Sequence, residues 1–384
     1  MPRMPFNTLC CRPLVQLSHP REVVRQFTPN WFAVTMGTGI LSAALPHLGL
    51  PGAALLGQTL WLLNLLLFAL FFGLYAARWL LYFNEARRIF GHATVSMFIG
   101  TIPMGLATLI NGLPSHGVAL WGEAAMTLAL PLWWLDVALA LACGVGIPYL
   151  MFTRQEHSID QMTAVWLLPV VAAEVAAASG GLLIPWLAAE QAYAVLVTSY
   201  VLWACSVPVA LSILVILLLR MAVHKLPHRN MAASSLLALG PLGTGALGLL
   251  LLGQAATEVF AAQGLSSVGV VAHGLGIVGG LLLWGLGLWW LLLALLIICR
   301  YLREGMPFNL GWWAFTFPLG VYALATLTLG QMLQLAFFSR LGAGLVGLLA
   351  LLWVLVMAAT LRGAWRGELF VSPCIADQVG VPVR

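Results

Sequence analysis

The chain reads Thr316-Phe317-Pro318-Leu319-Gly320 in the middle of an apolar segment near its carboxyl end. Two earlier apolar segments carry the same order, as Thr101-Ile102-Pro103-Met104-Gly105 and, with glycine in place of proline, as Thr35-Met36-Gly37-Thr38-Gly39. Shorter copies stand at Gly240-Pro241-Leu242-Gly243 and Leu168-Pro169-Val170. Because proline and glycine interrupt or weaken helices, five apolar segments share a helix breaker at one matched place.

The spacing of these copies indicates a repeat. Their central residues stand at positions 37, 103, 169, 241 and 318, which are 66, 66, 72 and 77 residues apart. Each step has room for two membrane-spanning helices, because one span takes about 20 residues. A fixed period of this kind indicates a repeated structural unit. We therefore predict five helical hairpins in one orientation, arranged as a ring with the breaker-containing helices inside.

The composition excludes a water-soluble domain. Hydrophobic residues make up 62% of the chain and charged residues only 8%, whereas a soluble domain carries about 25% charged residues. We predict an all-α integral membrane protein with a cytoplasmic arm at 1–29, a transmembrane domain at 30–363 and a cytoplasmic tail at 364–384. Its ten predicted transmembrane helices are 30–48, 53–82, 92–112, 121–152, 162–187, 191–221, 232–255, 266–299, 311–338 and 340–363.

The basic residues give the predicted orientation. Of the 17 lysines and arginines, 16 fall on one side of the predicted topology, and only Arg340 falls on the other. Cytoplasmic loops carry an excess of lysine and arginine, so both termini are predicted to be cytoplasmic, in the plasma (inner) membrane. The formal net charge of +5 then reflects topology and does not indicate nucleic-acid binding.

The five inner helices are predicted to line a pore. Backbone groups that a breaker frees inside lipid need protein or water as partners, so breakers at matching depth favour a shared central axis. Threonine hydroxyls beside the breakers offer hydrogen-bond donors. The alternative is that proline and glycine serve ordinary helix packing, as they often do in membranes. The predicted pore-lining residues are Thr35, Gly37, Thr38, Thr101, Pro103, Pro169, Pro241, Thr244, Thr316 and Pro318.

Four ionisable residues in the predicted helices are candidates for function, because such residues are costly inside a membrane. Glu174 follows Pro169 by five residues on an inner helix. It is either a proton-coupling site or a neutral, hydrogen-bonded side chain. His92 is predicted at the cytoplasmic mouth, where it could sense pH. Asp136 is predicted to be a buried structural residue that pairs with an arginine or with backbone. His273 is predicted to be packed and hydrogen-bonded.

Four groups of motifs between residue 29 and about residue 330 fit one family pattern. They are Pro29-Asn30-Trp31-Phe32 with the 35–39 copy, Ser96-Met97-Phe98 with Pro103-Met104-Gly105, Trp133-Trp134-Leu135-Asp136-Val137, and the stretch 308–320. Together they resemble the tellurite-resistance/dicarboxylate transporter family. That family includes malate permeases, sulfite efflux proteins, bacterial tellurite-resistance proteins and the slow anion channels of guard cells.

The resemblance implies ten helices around a pore, a homotrimer with one pore in each subunit, and transport of small anions across the lipid bilayer. Two substrates remain open, sulfite and a C4-dicarboxylate such as malate. Two mechanisms also remain open, a passive channel and a proton-coupled carrier. It also implies an aromatic gate on the ninth helix, at Phe317, with Phe315 as second choice. The repeat singles out Phe317 as well, because the matching residues are Met36, Ile102, Leu168 and Gly240.

No motif predicts catalysis. The chain has neither H-E-x-x-H nor G-x-S-x-G, and its histidines lack the spacing of a metal site, so we predict no enzyme, no cofactor and no metal. A scaffold or receptor is a further alternative that composition does not exclude. Since no lysine or arginine is predicted deep in an inner helix, anion selectivity would rest on hydroxyls, backbone N–H groups and the basic cytoplasmic mouth.

Overall fold

A computed structural model describes residues 13–375, so residues 1–12 of the predicted arm and 376–384 of the predicted tail lie outside the described residues. The described residues form helices and contain no β-strand, which confirms the predicted all-α membrane fold. The long α-helices are α1 (Phe32–Ala44), α2 (Ala53–Leu81), α3 (Thr101–Gly112), α4 (Ala124–Thr153), α5 (Leu168–Leu183), α6 (Ala189–His224), α7 (Leu239–Ala262), α8 (Ser266–Glu304), α9 (Phe317–Leu333) and α10 (Ala336–Arg366).

Nine helical stretches within residues 13–375 are long and apolar enough to cross a membrane. The helix outside this set is α1, whose 13 residues cover about 20 Å at 1.5 Å per residue, less than the ~30 Å hydrocarbon core. Turns of 3₁₀-helix at Pro29–Trp31 and Leu45–Leu48 lengthen it at both ends. Ten spans grouped in five hairpins remain a prediction.

A 3₁₀ segment precedes each of the five predicted inner helices, α1, α3, α5, α7 and α9. The repeat predicted breakers in the middle of the membrane-spanning segments, but its four prolines lie in the first turn of an α-helix, where they do not interrupt it. The first N–H groups of a helix have no partner within it, so proline there removes no helical hydrogen bond. The 3₁₀ segments are Pro29–Trp31, Val95–Gly100, Ala164–Leu167, Arg229–Leu236 and Leu310–Phe315.

Burial alternates along the chain. In an apolar 18-residue stretch of each span that contains α3, α5, α7 or α9, between 78% and 94% of the residues are buried, against 22–33% in the corresponding stretches of the even-numbered helices. In α1, 11 of 13 residues are buried. The buried helices contact each other in the cyclic order α1, α3, α5, α7, α9 and back to α1, and each also packs on the even-numbered helix that follows it. The even-numbered helices therefore form the outer layer, whose exposed side chains are mainly apolar.

Glycines of the repeat permit this close approach of the inner helices. A Cβ atom on Gly37 of α1 would overlap the hydroxyl of Thr316, next to α9. A Cβ atom on Gly243 of α7 would lie 2.8 Å from the backbone nitrogen of Tyr322 in α9. Both distances are too short for a side chain, so these glycines act in helix packing, the alternative role considered for the repeat.

Five tryptophans tie the outer layer to the inner ring. Each donates its indole N–H to a residue of the next inner helix along the chain. Trp353 of α10, the last helix, donates to a residue of α1, the first inner helix. This second five-fold pattern is independent of the breaker repeat. The donor and acceptor pairs are Trp61 to Leu109 O (3.0 Å), Trp133 to Ala176 O (2.8 Å), Trp203 to Gly245 O (2.9 Å), Trp284 to Thr326 Oγ1 (2.9 Å) and Trp353 to Thr38 Oγ1 (3.1 Å).

Trp284→Phe is expected to lower the stability of the folded chain by about 1 kcal/mol or more, because it removes a buried hydrogen bond and some packing. The indole of Trp284 also stacks on Tyr322, with ring centroids 5.8 Å apart. Thermal unfolding in detergent, followed by size-exclusion chromatography, measures the effect. Trp289→Phe on the same helix is the matched control, because Trp289 is 48% exposed. Equal melting temperatures for the two variants would contradict the structural role of Trp284.

The two ends of the described chain meet on one side of the molecule. The backbone N–H of Leu14 donates to the carbonyl of Trp365, 2.7 Å away. Nearby, Arg25 donates to both carboxylate oxygens of Glu85, at 2.8 and 2.9 Å, and this hydrogen bonding lowers the pKa of Glu85 below its ordinary value. The ends therefore lie on the same side, as two cytoplasmic termini require.

The predicted boundary between the last two helices is wrong. We predicted a connection at 338–341, whereas α9 ends at Leu333 and α10 begins at Ala336. The chain turns at Gln334, whose φ of 54° is left-handed, a conformation that ends helices. Arg340 accordingly lies in the second turn of α10 and not in a loop.

Candidate functional site

A cavity of about 180 Å³ lies where the 3₁₀ segments meet the inner α-helices. All five inner helices contribute to its wall, for example through Met36, Met104, Leu168, Gly240 and Phe317. Because these helices also contact each other in a closed order, the cavity lies within the ring that they form.

The wall has a polar part and an apolar part. Most of the polar side chains come from the 3₁₀ segments or the residues just before them, whereas Thr101 is the first residue of α3. The apolar side chains come from the 3₁₀ segments and the α-helices alike. Among the described residues that line the cavity, none carries a formal charge or a carboxyl, imidazole or thiol group. The described part of the wall therefore offers hydrogen bonds but no titratable acid or base. The polar residues include Asn30, Thr94, Thr101, Asn230, Ser234 and Asn309.

The breaker repeat contributes its matched residues to the wall. Met36, Leu168, Gly240 and Phe317 line the cavity, and Ile102 is the member of the five that does not. Phe317 is the aromatic member and is 4% exposed. The second candidate for the gate, Phe315, is buried outside the cavity wall, where its ring contacts that of Trp312 at 5.6 Å. Of the two gate candidates, Phe317 therefore lines the cavity and Phe315 does not.

Most predicted pore-lining residues lie elsewhere. Thr101 and Pro318 line the cavity. The hydroxyl oxygen of Thr101 lies 2.7 Å from the carbonyl oxygens of both Pro29 and Phe98, so its one hydrogen is shared between them and links α3 to the segment before α1. The residues that lie outside the wall are Thr35, Gly37, Thr38, Pro103, Pro169, Pro241, Thr244 and Thr316.

The threonine hydroxyls are mostly engaged with their own segments. Thr35, Thr38 and Thr316 donate to carbonyls three or four residues earlier, at 2.7 to 2.8 Å. The hydroxyl of Thr244 is buried and has no partner among the described residues. A local backbone acceptor is available to such hydroxyls, so a threonine beside a breaker is not by itself a free donor for a ligand.

The two buried carboxyl groups do not face the cavity. Glu174 is fully buried and accepts a hydrogen bond from Ser206 of α6 at 3.2 Å, while its other oxygen has no partner in the described chain. Asp136 of α4 is also fully buried, and neither of its oxygens has a hydrogen-bond partner within residues 13–375. The predicted arginine or backbone partner of Asp136 is therefore not found there.

The two histidine candidates do not line the cavity either. His92 accepts hydrogen bonds from the backbone N–H groups of Thr94 and Val95, at 3.1 and 3.2 Å, and so fixes the start of a 3₁₀ segment. His273 is half-buried on α8, and its Nδ1 atom has no hydrogen-bond partner among the described residues, contrary to prediction. Within that part of the chain no cluster of side chains is suited to hold a metal ion.

Sequence reasoning missed the asparagines at the polar end of the cavity. Asn30, Asn230 and Asn309 precede the breakers at 37, 241 and 318 by 7, 11 and 9 residues. A recurring asparagine ahead of the breaker was the available signal. It was overlooked because the spacing varies with the length of the 3₁₀ segment.

Comparisons with known proteins agree on one family. The profile of the SLAC1 family, described as voltage-dependent anion channel, matches residues 26–361. The chain is 39% identical over 350 residues to the sulfite efflux pump SSU1 of Arthroderma benhamiae, covering 90% of this chain and 93% of that protein. The sulfite efflux pump SSU1 of Trichophyton rubrum matches to the same extent. The malic acid transport protein of Schizosaccharomyces pombe is 23% identical over 345 residues, covering 88% of this chain and 78% of that protein.

Proposed function

We propose, because the chain belongs to the SLAC1 family of voltage-dependent anion channels, that it carries sulfite or a similar small anion across a membrane through the centre of the five-helix ring. Transport of small anions, sulfite or malate-like, follows from the family and from the relatives. Sulfite is favoured over malate because relatives named as sulfite efflux pumps are 39% identical across nine-tenths of the chain, against 23% for the malic acid transport protein.

The observation that carries this proposal is the uncharged cavity shared by all five inner helices. A site without a fixed cation binds an anion weakly, and weak binding suits passage better than retention. The polar end supplies neutral donors, and Phe317 stands in the apolar part at the start of α9. We assign Phe317 as the gate on this geometry, and Phe315 is not proposed because it lies outside the wall.

We favour a passive channel over a proton-coupled carrier. No described side chain on the cavity wall is an acid or a histidine, and Glu174 hydrogen-bonds to α6. Proton coupling needs a titratable group that the anion pathway can reach. The homotrimer with one pore in each subunit, the plasma membrane location and the cytoplasmic termini are part of the same proposal, supported by the family and by the distribution of basic residues.

Glu174→Gln is expected to leave both the rate and the pH dependence of anion flux within about twofold of the parent chain, because the amide keeps the shape of the side chain and can bond to Ser206. Uptake driven by a pH gradient into proteoliposomes measures this. Loss of pH-driven uptake in well-folded Glu174→Gln protein would instead identify Glu174 as a coupling site and the chain as a carrier.

Flux through the purified chain in proteoliposomes tests the proposed function. We expect sulfite flux well above that of empty vesicles at two pH values, with chloride and malate measured in parallel. Flux of malate but not sulfite would reassign the substrate. Flux of none of these anions through correctly folded protein would overturn the proposal.

A further inference from the structure

Three asparagines share the polar end of the cavity. Asn30 and Asn230 are each the second residue of a 3₁₀ segment, at Pro29–Trp31 and Arg229–Leu236. Asn309 immediately precedes the segment that leads into α9. All three line the cavity, and they come from three different members of the ring. The fold therefore brings three side-chain amides to one opening.

Both ends of the Asn309 amide are engaged by the protein. Its Nδ2 atom donates to the backbone carbonyl of Asn230, 3.0 Å away, and its Oδ1 atom accepts from the backbone N–H of Gly311 at 2.8 Å. Asn309 thus fixes the backbone that carries Asn230. It is a positioning residue, because both of its hydrogen bonds are to backbone atoms of the protein.

The other two amides keep their donors free. The Oδ1 atom of Asn30 accepts from the hydroxyl of Thr28, so the opposite NH₂ end of that amide is left without a partner in the described chain. The side chain of Asn230 makes no hydrogen bond to any described residue, and its backbone N–H donates to His228 Nδ1 at 3.3 Å. Two NH₂ groups on the same cavity wall are therefore available to a ligand that accepts hydrogen bonds.

An anion that enters the apolar part of the cavity loses its hydration, which is costly when no cation compensates for it. Donors at the opening offset this cost, because hydrogen bonds to charged acceptors are stronger than those between neutral groups. An oxyanion such as sulfite presents several oxygens and so has a separate acceptor for each amide. Chloride is a single centre and gains less from two separated donors.

We propose that the amides of Asn30 and Asn230 form a binding subsite for an oxyanion at the polar end of the cavity, with Asn309 as the positioning residue. The subsite rests on the anion transport proposed above and adds to it a preference for oxyanions over halides. In this proposal the subsite binds the anion at the polar end of the cavity, before the anion reaches Phe317.

Asn30→Ala and Asn230→Ala test the subsite in proteoliposomes. Each is expected to raise the half-saturating sulfite concentration roughly tenfold, the size expected when one hydrogen bond to a charged group is lost. Chloride flux should stay within about twofold. Asn230→Asp keeps the shape of the side chain but replaces the donor by a negative charge, and it should weaken sulfite binding further. Asn111→Ala on α3, outside the cavity wall, is the matched control and should change neither flux.

The outcomes separate the subsite from the function on which it rests. If the parent chain carries no sulfite, the proposed function fails. If the parent carries sulfite and the half-saturating concentration is unchanged in all three variants, only the subsite is overturned. Equal losses of sulfite and chloride flux in the asparagine variants would assign them a structural role and overturn the subsite as well.

Discussion

Phe317→Ala is expected to raise sulfite flux about tenfold, because a barrier lowered by about 1.4 kcal/mol speeds passage by that factor. Phe317 is the aromatic member of the five matched residues, and it lines the cavity with only 4% of its surface exposed. Alanine removes the ring but keeps the first turn of α9, where Pro318 follows. Initial rates of sulfite flux in proteoliposomes, at equal protein density, measure the change.

Phe315→Ala is the matched control for this gate. It removes the same side chain two residues earlier, outside the cavity wall, so flux should stay within about twofold of the parent. Unchanged flux in Phe317→Ala, or a rise in Phe315→Ala alone, would refute the assignment of Phe317. A fall in both variants with loss of folded protein would show a packing role only.

Gly243→Ala is expected to cost about 3 kcal/mol of stability, at the upper end of the usual range for overpacking. The added Cβ would lie 2.8 Å from the backbone nitrogen and 3.0 Å from the Cα of Tyr322. Backbone atoms of a packed helix cannot rotate away, so α7 and α9 must separate and open the ring. A lower melting temperature in detergent and a lower yield of folded protein are the expected results.

Gly240→Ala on the same helix is the control for this effect. A Cβ atom at Gly240 meets only Pro318 Cγ, at an ordinary 3.9 Å, so its melting temperature should match that of the parent. If Gly243→Ala were equally stable, the close approach of α7 and α9 would not hold the ring together.

Global properties of the fold were predictable because they depend on composition and period. A charged content of 8% requires lipid or protein around nearly every helix, and the spacing of the breakers separates buried from exposed helices. The gate candidate followed from the resemblance to the family, and the comparison of matched residues singled out the same residue, Phe317, which lines the cavity.

The details that failed depend on side-chain direction and on local backbone geometry. The threonines stand beside the breakers, as predicted, but Thr35 and Thr38 turn their hydroxyls to carbonyls of their own helix. The turn at Gln334 was missed because no glycine or proline marks it. The five tryptophan contacts depend on which face of an outer helix meets the ring, and a leucine-rich helix does not show this in its sequence.

Thiol labelling of Ala33→Cys tests most directly whether anions pass through the ring. Ala33 lies on α1 and lines the cavity. A negatively charged methanethiosulfonate reagent attached there would therefore block the pathway and repel the anions that enter it. The proposed path predicts that labelling abolishes most sulfite flux through Ala33→Cys protein and spares the parent chain treated in the same way. Undiminished sulfite flux through fully labelled Ala33→Cys protein would show that the anion takes another route.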